Sequence, residues 1–148
     1  VCLLGKQHRL RVVDALPAGA AVVGDHIEIR GSMGDDEAAT RLLDGLYRLQ
    51  LSGLVNRLLA EWVPRIGIAP EYIGYRRMRT RWGSCTPGTR RIRLNLELAS
   101  RVPDEVEYVL VHELLHLVHP DHGPGFYNAM EQQLPGWRGL RDSLRRSA

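Results

Sequence analysis

Cysteine is nearly absent, with only Cys2 and Cys85 in 148 residues. Two thiols cannot build a disulfide framework, and neither has a second cysteine for a thiolate zinc site. A reduced, cytoplasmic setting is the simpler reading. Long apolar runs are missing too, and none approaches the roughly 20 residues that span a bilayer, which argues against a membrane partner. The chain opens at Val1 without methionine and without a charged-then-apolar leader. The expectation is that it is trimmed there, with any targeting segment before Val1 outside this sequence. Internal repeats, low-complexity tracts and interdomain linkers are also lacking. One domain over 1–148 is therefore expected, with strands over about 1–30 and a helical and catalytic part over about 36–148. A chain of this size buries about two-thirds of the surface its unfolded form exposes, enough for a hydrophobic core.

Charge of one sign is scarce overall, the formal net charge being +3, but its distribution is uneven. Arg76, Arg77, Arg79, Arg81, Arg90, Arg91 and Arg93 crowd into one stretch and create a local positive field. Two readings stand side by side: a solvated strand pair with alternating arginines, or a surface for nucleic acid or nucleotide phosphates.

The strand signal near the start is clearest over Ala21–Ile29, where Gly24-Asp25 would turn a hairpin. Leu42, Leu43, Leu46, Val55, Leu58, Leu59, Trp62 and Ile66 recur at helical spacing from Asp36 to about Ile66. This is one long amphipathic helix or two helices bent near Gly53, with Asp35 or Asp36 available as N-cap and Pro64 weakening the last turn. Tyr72–Thr80 and Arg91–Leu96 read as strands flanking the turn Thr86-Pro87-Gly88-Thr89. Pro103 and Asp104 fit the first turn of a helix running to about Val118, where Pro120 stops it. A further helical stretch, roughly Gly125 to Gln133, precedes an arginine-rich C-terminal segment.

The chemistry is concentrated in His112-Glu113-Leu114-Leu115-His116, an H-E-x-x-H run. Histidines four apart on a helix are neighbours on one face, so their imidazoles can converge on one ion. Glu113 is rotated from them by about 100° at 3.6 residues per turn, which aims its carboxylate at a water in an open coordination position. Val106, Val109, Leu110, Val111, Leu114, Leu115, Leu117 and Val118 make the helix apolar nearly all round, as in a buried helix. A carboxylate buried beside two imidazoles is costly unless something pairs with it, and a divalent cation compensates all three. The bland alternative is that the histidines only bond to backbone carbonyls.

A catalytic zinc usually takes three protein ligands. His119 lies about 10.5 Å along the axis from His112 at 1.5 Å per residue, too far for an easy shared site. Pro120 disfavours helix at residue 119, and a turn tightened by Gly123 can bring His122 back. His122 is therefore the preferred third ligand. His119 is assigned to the cleft or to support of a ligand, and Glu131 is a weaker third-ligand candidate. Asp121 or Glu107 is available to orient a ligand imidazole. Cys85 is read as structural.

Several motifs in order resemble one family, the YgjP-like metal-dependent hydrolases, relatives of the SprT-like proteases among the zincins. They are Thr80-Arg81-Trp82-Gly83-Ser84-Cys85, Arg93-Leu94-Asn95-Leu96-Glu97-Leu98, Tyr108 through His116, and His122-Gly123-Pro124-Gly125-Phe126-Tyr127. The resemblance covers nearly the whole chain. It implies an α+β, zincin-like fold: a small twisted sheet packed on a long N-terminal helix and an H-E-x-x-H helix. It also implies Zn2+ on His112, His116 and His122 with Glu113 as base. Gly123 stands where such proteins usually have serine, following the SprT-like pattern, and Tyr127 where many have tryptophan; both bear on substrate preference. The His112–His122 spacing also matches the metzincin signature, but His119 occupies its glycine position and Met130 falls in a helix.

The expected function is a zinc-dependent metallopeptidase acting through a metal-activated water, with Glu113 as general base. Trp82, Gly83, Ser84, His119 and Tyr127 are expected to contact a protein or peptide substrate, an extended peptide pairing with the strand near Trp82–Cys85. Trp82 has a core-packing reading beside this one. Two alternatives are a metal-dependent nucleotide pyrophosphatase using the arginine cluster and a DNA-associated module with a structural metal.

Overall fold

A computed structural model of the chain describes residues 1–146. Its longest element, α1 (Asp36–Ile66), follows from its caps. The Asp35 carboxylate accepts the Ala38 N–H at 3.0 Å, satisfying one of the free donors of the first turn. Gly67, at φ 88° in the left-handed region, closes the other end and donates its N–H to the Val63 carbonyl. The helix runs unbroken through Gly53 and holds Pro64 in its last turn. Leu46, Val55 and Trp62 of the predicted stripe are buried, and its other members pack partly buried against them.

Before α1, the pair β1 (Cys2–Leu3) and β2 (Lys6–Gln7) forms a small antiparallel ribbon. A three-stranded sheet follows, from β3 (Arg9–Val13), β4 (Gly19–Val23) and β5 (His26–Arg30), in the order β3-β5-β4. The predicted turn at Gly24-Asp25 joins β4 to β5 as an antiparallel hairpin.

After α1, β6 (Tyr72–Arg76), β7 (Gly83–Thr86) and β8 (Arg91–Asn95) form a second three-stranded sheet in the order β6-β8-β7. This corrects the expected strand pair. The strand entering the Thr86–Thr89 turn is β7, antiparallel to β8, whereas β6 ends at Arg76 and lies parallel to β8 on the other side. Sequence alternation misses β7 because its four residues, Gly83-Ser84-Cys85-Thr86, are small and only half-buried.

Three helices complete the chain: α2 (Pro103–His116), α3 (Pro124–Gln133) and α4 (Trp137–Arg146). The helix α2 stops two residues short of the predicted Val118, and the next residues continue as a tighter turn in which the Val118 N–H reaches the Leu115 carbonyl. Ten of the 14 residues of α2 are buried, because α1, α3, α4, β7 and β8 all pack on it. One cluster of buried side chains runs from Leu3, Ile27 and Ile29 through α1 and α2 to Leu144. No helix among the described residues is long and apolar enough to cross a membrane.

Candidate active site

The helical repeat of α2 sets His112 and His116 side by side, and the chain returns after Pro120. The Asp121 carboxylate accepts the Gly123 N–H at 3.1 Å, and Gly123 and Pro124 open α3. This turn brings His122 back. The Nε2 atoms of His116 and His122 are 2.9 Å apart, those of His116 and His112 3.2 Å, and those of His112 and His122 3.4 Å. Nitrogens so spaced share a point just off their plane about 2.1 Å from each, the length of a Zn–N bond. The Nδ1–H of His116 donates to the His119 carbonyl at 3.0 Å, which leaves the Nε2 of the neutral ring a lone pair aimed at the cluster. Burial, then the neighbouring His116 and His122, pushes the His112 imidazolium down to about 3. His116 is lowered as well, chiefly by burial. Imidazoles with their Nε2 atoms facing one another fit a divalent cation, and these three are the metal-capable group among the described residues.

Phe126 forms the apolar floor of the cluster. Its ring stacks on His116 at 4.4 Å and meets His112 and His122 edge-on at 4.9 and 5.1 Å. Glu113 is 5% exposed, yet no protein hydrogen bond among the described residues reaches its carboxylate, which lines the neighbouring cavity. Burial pushes its carboxyl up to about 8, against the opposing pull of the Arg81 charge. Strand β7 passes close above it. A Cβ on Gly83 would lie 2.9 Å from Glu113 Oε2 and 3.0 Å from Val109 Cγ1, so this strand can approach α2 only as glycine.

The cavity, about 390 Å³, is walled by Trp82, Gly83, His112, Glu113, His122 and Tyr127 among the predicted residues. Ser84 lies outside that lining, further along β7. His119 is also outside it: its carbonyl orients His116, and a Cβ on Gly125 would meet its ring nitrogen at 3.2 Å. The support expected from Asp121 or Glu107 is thus supplied by a backbone carbonyl instead. Glu107 accepts the Trp62 indole N–H at 2.8 Å, and Glu131 accepts the Trp137 indole N–H at 3.0 Å, so neither joins the histidines. Cys85 is held as a thiol, burial and then Glu113 pushing it up to about 11.

Arg76, Arg77, Arg79 and Arg81 line one open depression beside Ser84, apart from the histidine cavity, while Arg90, Arg91 and Arg93 lie outside it. Arg77 is bound by Asp44 and Glu97, Arg90 pairs with Glu71, and Arg91 lies over the Tyr72 ring; of the seven, only Arg81 also lines the histidine cavity. Neither a nucleotide nor a nucleic-acid partner gains support from this placement. Sequence reading missed α4, which brings Trp137, Arg141, Leu144 and Arg145 to the cavity. The signal was present in Trp137, Leu140, Arg141 and Leu144, spaced by three, four and seven. It also missed the role of buried Asn95. Its amide donates to the Met78 and Arg81 carbonyls, both at 3.0 Å, and pins the loop that presents Arg81 and Trp82.

A buried helix that pairs two histidines across a glutamate, with a third returned by the following turn beside a mixed sheet, defines a zincin-like metallopeptidase. The chain belongs to the YgjP-like family, whose metallopeptidase-domain model matches residues 1–147. It is accordingly a metal-dependent peptidase with peptide or protein substrates. No curated protein sequence matches it. Among solved structures it is similar to the metallopeptidase zymogen abylysin of Pyrococcus abyssi, with TM-score 0.57 and 21% identity over 63% of this chain and 93% of that one. It is also similar to the zymogen jannalysin of Methanocaldococcus jannaschii, with TM-score 0.53 and 19% identity over 66% of this chain and 88% of that one. At such identities these likenesses establish the shared fold.

Proposed function

We propose that the chain is a zinc-dependent peptidase of a reducing, cytoplasmic setting, in which His112, His116 and His122 hold the ion and Glu113 is the general base. The observation that carries this reading is the convergence of three imidazoles beside a buried carboxylate that has no hydrogen-bond partner among the described residues, at the wall of an open cavity. An all-imidazole set of three suits zinc and leaves a coordination position for the reaction.

When bound, the ion supplies Lewis acidity, polarising the scissile carbonyl and acidifying water. Glu113 takes the proton of the attacking water and returns it to the departing amine nitrogen, a role suited to a carboxyl whose pKa lies near 8 in the protein alone. Among the described residues the outer edge of β7 pairs with no further strand, and it can add an extended peptide there. Backbone pairing of that kind demands little of the peptide's sequence. Trp82 and Tyr127 wall the bound segment, Gly83 lets it pass close to Glu113, and His119 holds His116 through its carbonyl.

The test is hydrolysis of an unfolded protein and of nucleoside triphosphates by zinc-loaded wild type, Glu113→Gln and His122→Ala, with metal content measured for each. Glu113→Gln is expected to keep its zinc and lose about 10²–10⁴-fold in peptide cleavage. His122→Ala is expected to lose the metal. Release of pyrophosphate without peptide cleavage by the wild type would sink the proposal.

A further inference from the structure

The cavity has an unbalanced charge. Its lining contains three arginines, Arg81, Arg141 and Arg145, and a single acid, Glu113, which is already assigned to proton transfer. Arg81 and Arg145 are exposed, and neither has an ion-pair partner among the described residues. Arg141 is anchored: its Nε donates to Asp142 at 3.2 Å, and its guanidinium lies 5.1 Å over the Trp137 ring. The remaining N–H groups of that guanidinium have no protein acceptor among the described residues. Arg141 is thus ion-paired on its Nε side by Asp142, as its neighbour Arg138 is by Glu131 at 2.9 Å, and Arg81 and Arg145 are the cavity's arginines without such a partner among the described residues. Trp137 in turn stacks between Tyr108 at 6.5 Å and Tyr127 at 5.8 Å, giving the arginines of α4 a flat, rigid backing.

A cleft lined by one sign of charge focuses its field on whatever enters, and guanidinium forks match carboxylates. Resting on the peptidase reading above, we propose that this cavity selects peptides that place a carboxylate near the scissile bond, held by Arg141 and Arg145 of α4 together with Arg81. The aromatic wall takes the methylenes of the same residue. A lysine or arginine there meets the charges of Arg81 and Arg145, beside the paired Arg141, and is disfavoured. The carboxylate has two sources, the side chain of an internal Asp or Glu, or the free C-terminus of a short peptide.

Fluorescence polarisation on the metal-free full chain separates them. The probes are labelled alanine heptapeptides with a central Glu, Gln or Lys, each C-terminally amidated, and the all-alanine peptide as free acid and as amide. The Glu peptide, the free acid or both should bind about tenfold tighter than the neutral counterpart, and the gap should shrink in high salt. Which pair shows the gap identifies the source. The double variant Arg141→Gln/Arg145→Gln should bring the ratio below about twofold. Arg145→Glu, at an exposed helix position that folding tolerates, should move preference toward the Lys peptide. Equal binding within both pairs, no binding of any probe, tighter binding of ATP than of the peptides, or a preference surviving in the double variant overturns the proposal. The two proposals fail differently. A zinc-loaded chain that binds the Glu peptide but cuts nothing removes the peptidase chemistry and keeps the carboxylate pocket. One that cuts Glu and Gln peptides with equal kcat/KM does the reverse.

Discussion

The two three-stranded sheets have the same wiring and different consequences. In β3-β5-β4 and in β6-β8-β7 alike, the first strand runs parallel to the third and the second pairs antiparallel with it. Partners across the ladder point to the same face. In the second sheet that face carries Ile73, Ile92 and Cys85 in one row and Tyr75, Leu94 and Gly83 in the next, and all of them meet the core or α2. In the first sheet the matching rows are Leu10, Ile27 and Val22, then Val12, Ile29 and Ala20. There Ile27 and Ile29 are buried, while Leu10, Val12 and Val22 stay 47%, 38% and 40% exposed. Topology alone therefore does not make a site. What differs is the neighbour, since the second sheet presses its edge onto a buried helix bearing ionisable groups.

The sharpest way to break this contrast is to remove the buried carboxylate. Glu113 has a folded-state pKa raised from 4.5 to about 8. Its contribution is therefore fully present below about pH 4.5 and is lost as pH rises through 8. In metal-free protein, Glu113→Gln should equal wild type near pH 4.5 and exceed it at pH 8.5 by on the order of 3 kcal/mol. The acid arm should remain in both: His112 and His116 are lowered from 6.5, so stability falls in each as pH drops below that value. Urea midpoints across pH check this. In the first sheet, Glu28 pairs with Arg30 at 3.6 Å, partly exposed, and Glu28→Gln should shift the midpoint by less than about 1 kcal/mol at any pH.

A second comparison uses one glycine from each edge strand. At Gly83 a methyl group meets a buried carboxylate and a buried valine; at Gly19 it meets Arg30 Nη2 at 3.0 Å, the movable end of a flexible side chain. Gly83→Ala should cost about 1–3 kcal/mol and slow peptide cleavage about tenfold or more, through displacement of Glu113 from its place beside the histidines. Gly19→Ala should leave kcat and thermal midpoint nearly unchanged. Equal effects would mean that the close approach of β7 to α2 has no catalytic meaning.

How much of this was legible beforehand depends on which residues were local to one another. The histidine cluster was readable because its parts lie within eleven consecutive positions, on one helix and the turn after it, where spacing and Pro120 constrain geometry. The helix α1 was readable from its caps and its stripe. Partners brought together by tertiary packing were not. Asn95 reaching back to the Met78 and Arg81 carbonyls, the His119 carbonyl displacing any carboxylate behind His116, and α4 delivering arginines to the cavity are distant in sequence or depend on backbone groups that carry no residue signature. The arginine run misled for a related reason: its first four members share a depression apart from the histidines, and acidic partners distant in sequence hold Arg77 and Arg90.

The smallest expected effect lies on the exposed margin of the first sheet. Leu10 sits in the same row as fully buried Ile27, so sequence pattern alone would rank both as core. Burial ranks them differently. Nearly half of Leu10 is in water already, and β3 forms an outer edge of its sheet, whereas Ile27 is enclosed. Leu10→Thr removes only the covered part of the side chain and adds a hydroxyl that solvent can satisfy, while threonine keeps a strand-favouring shape. The thermal midpoint should therefore move by an amount worth less than about 0.5–1 kcal/mol, whereas Ile27→Ala should cost about 2–5 kcal/mol through the cavity it leaves. A Leu10→Thr loss as large as that of Ile27→Ala would show that the margin is covered in solution, and that the two sheets differ less than their exposed faces suggest.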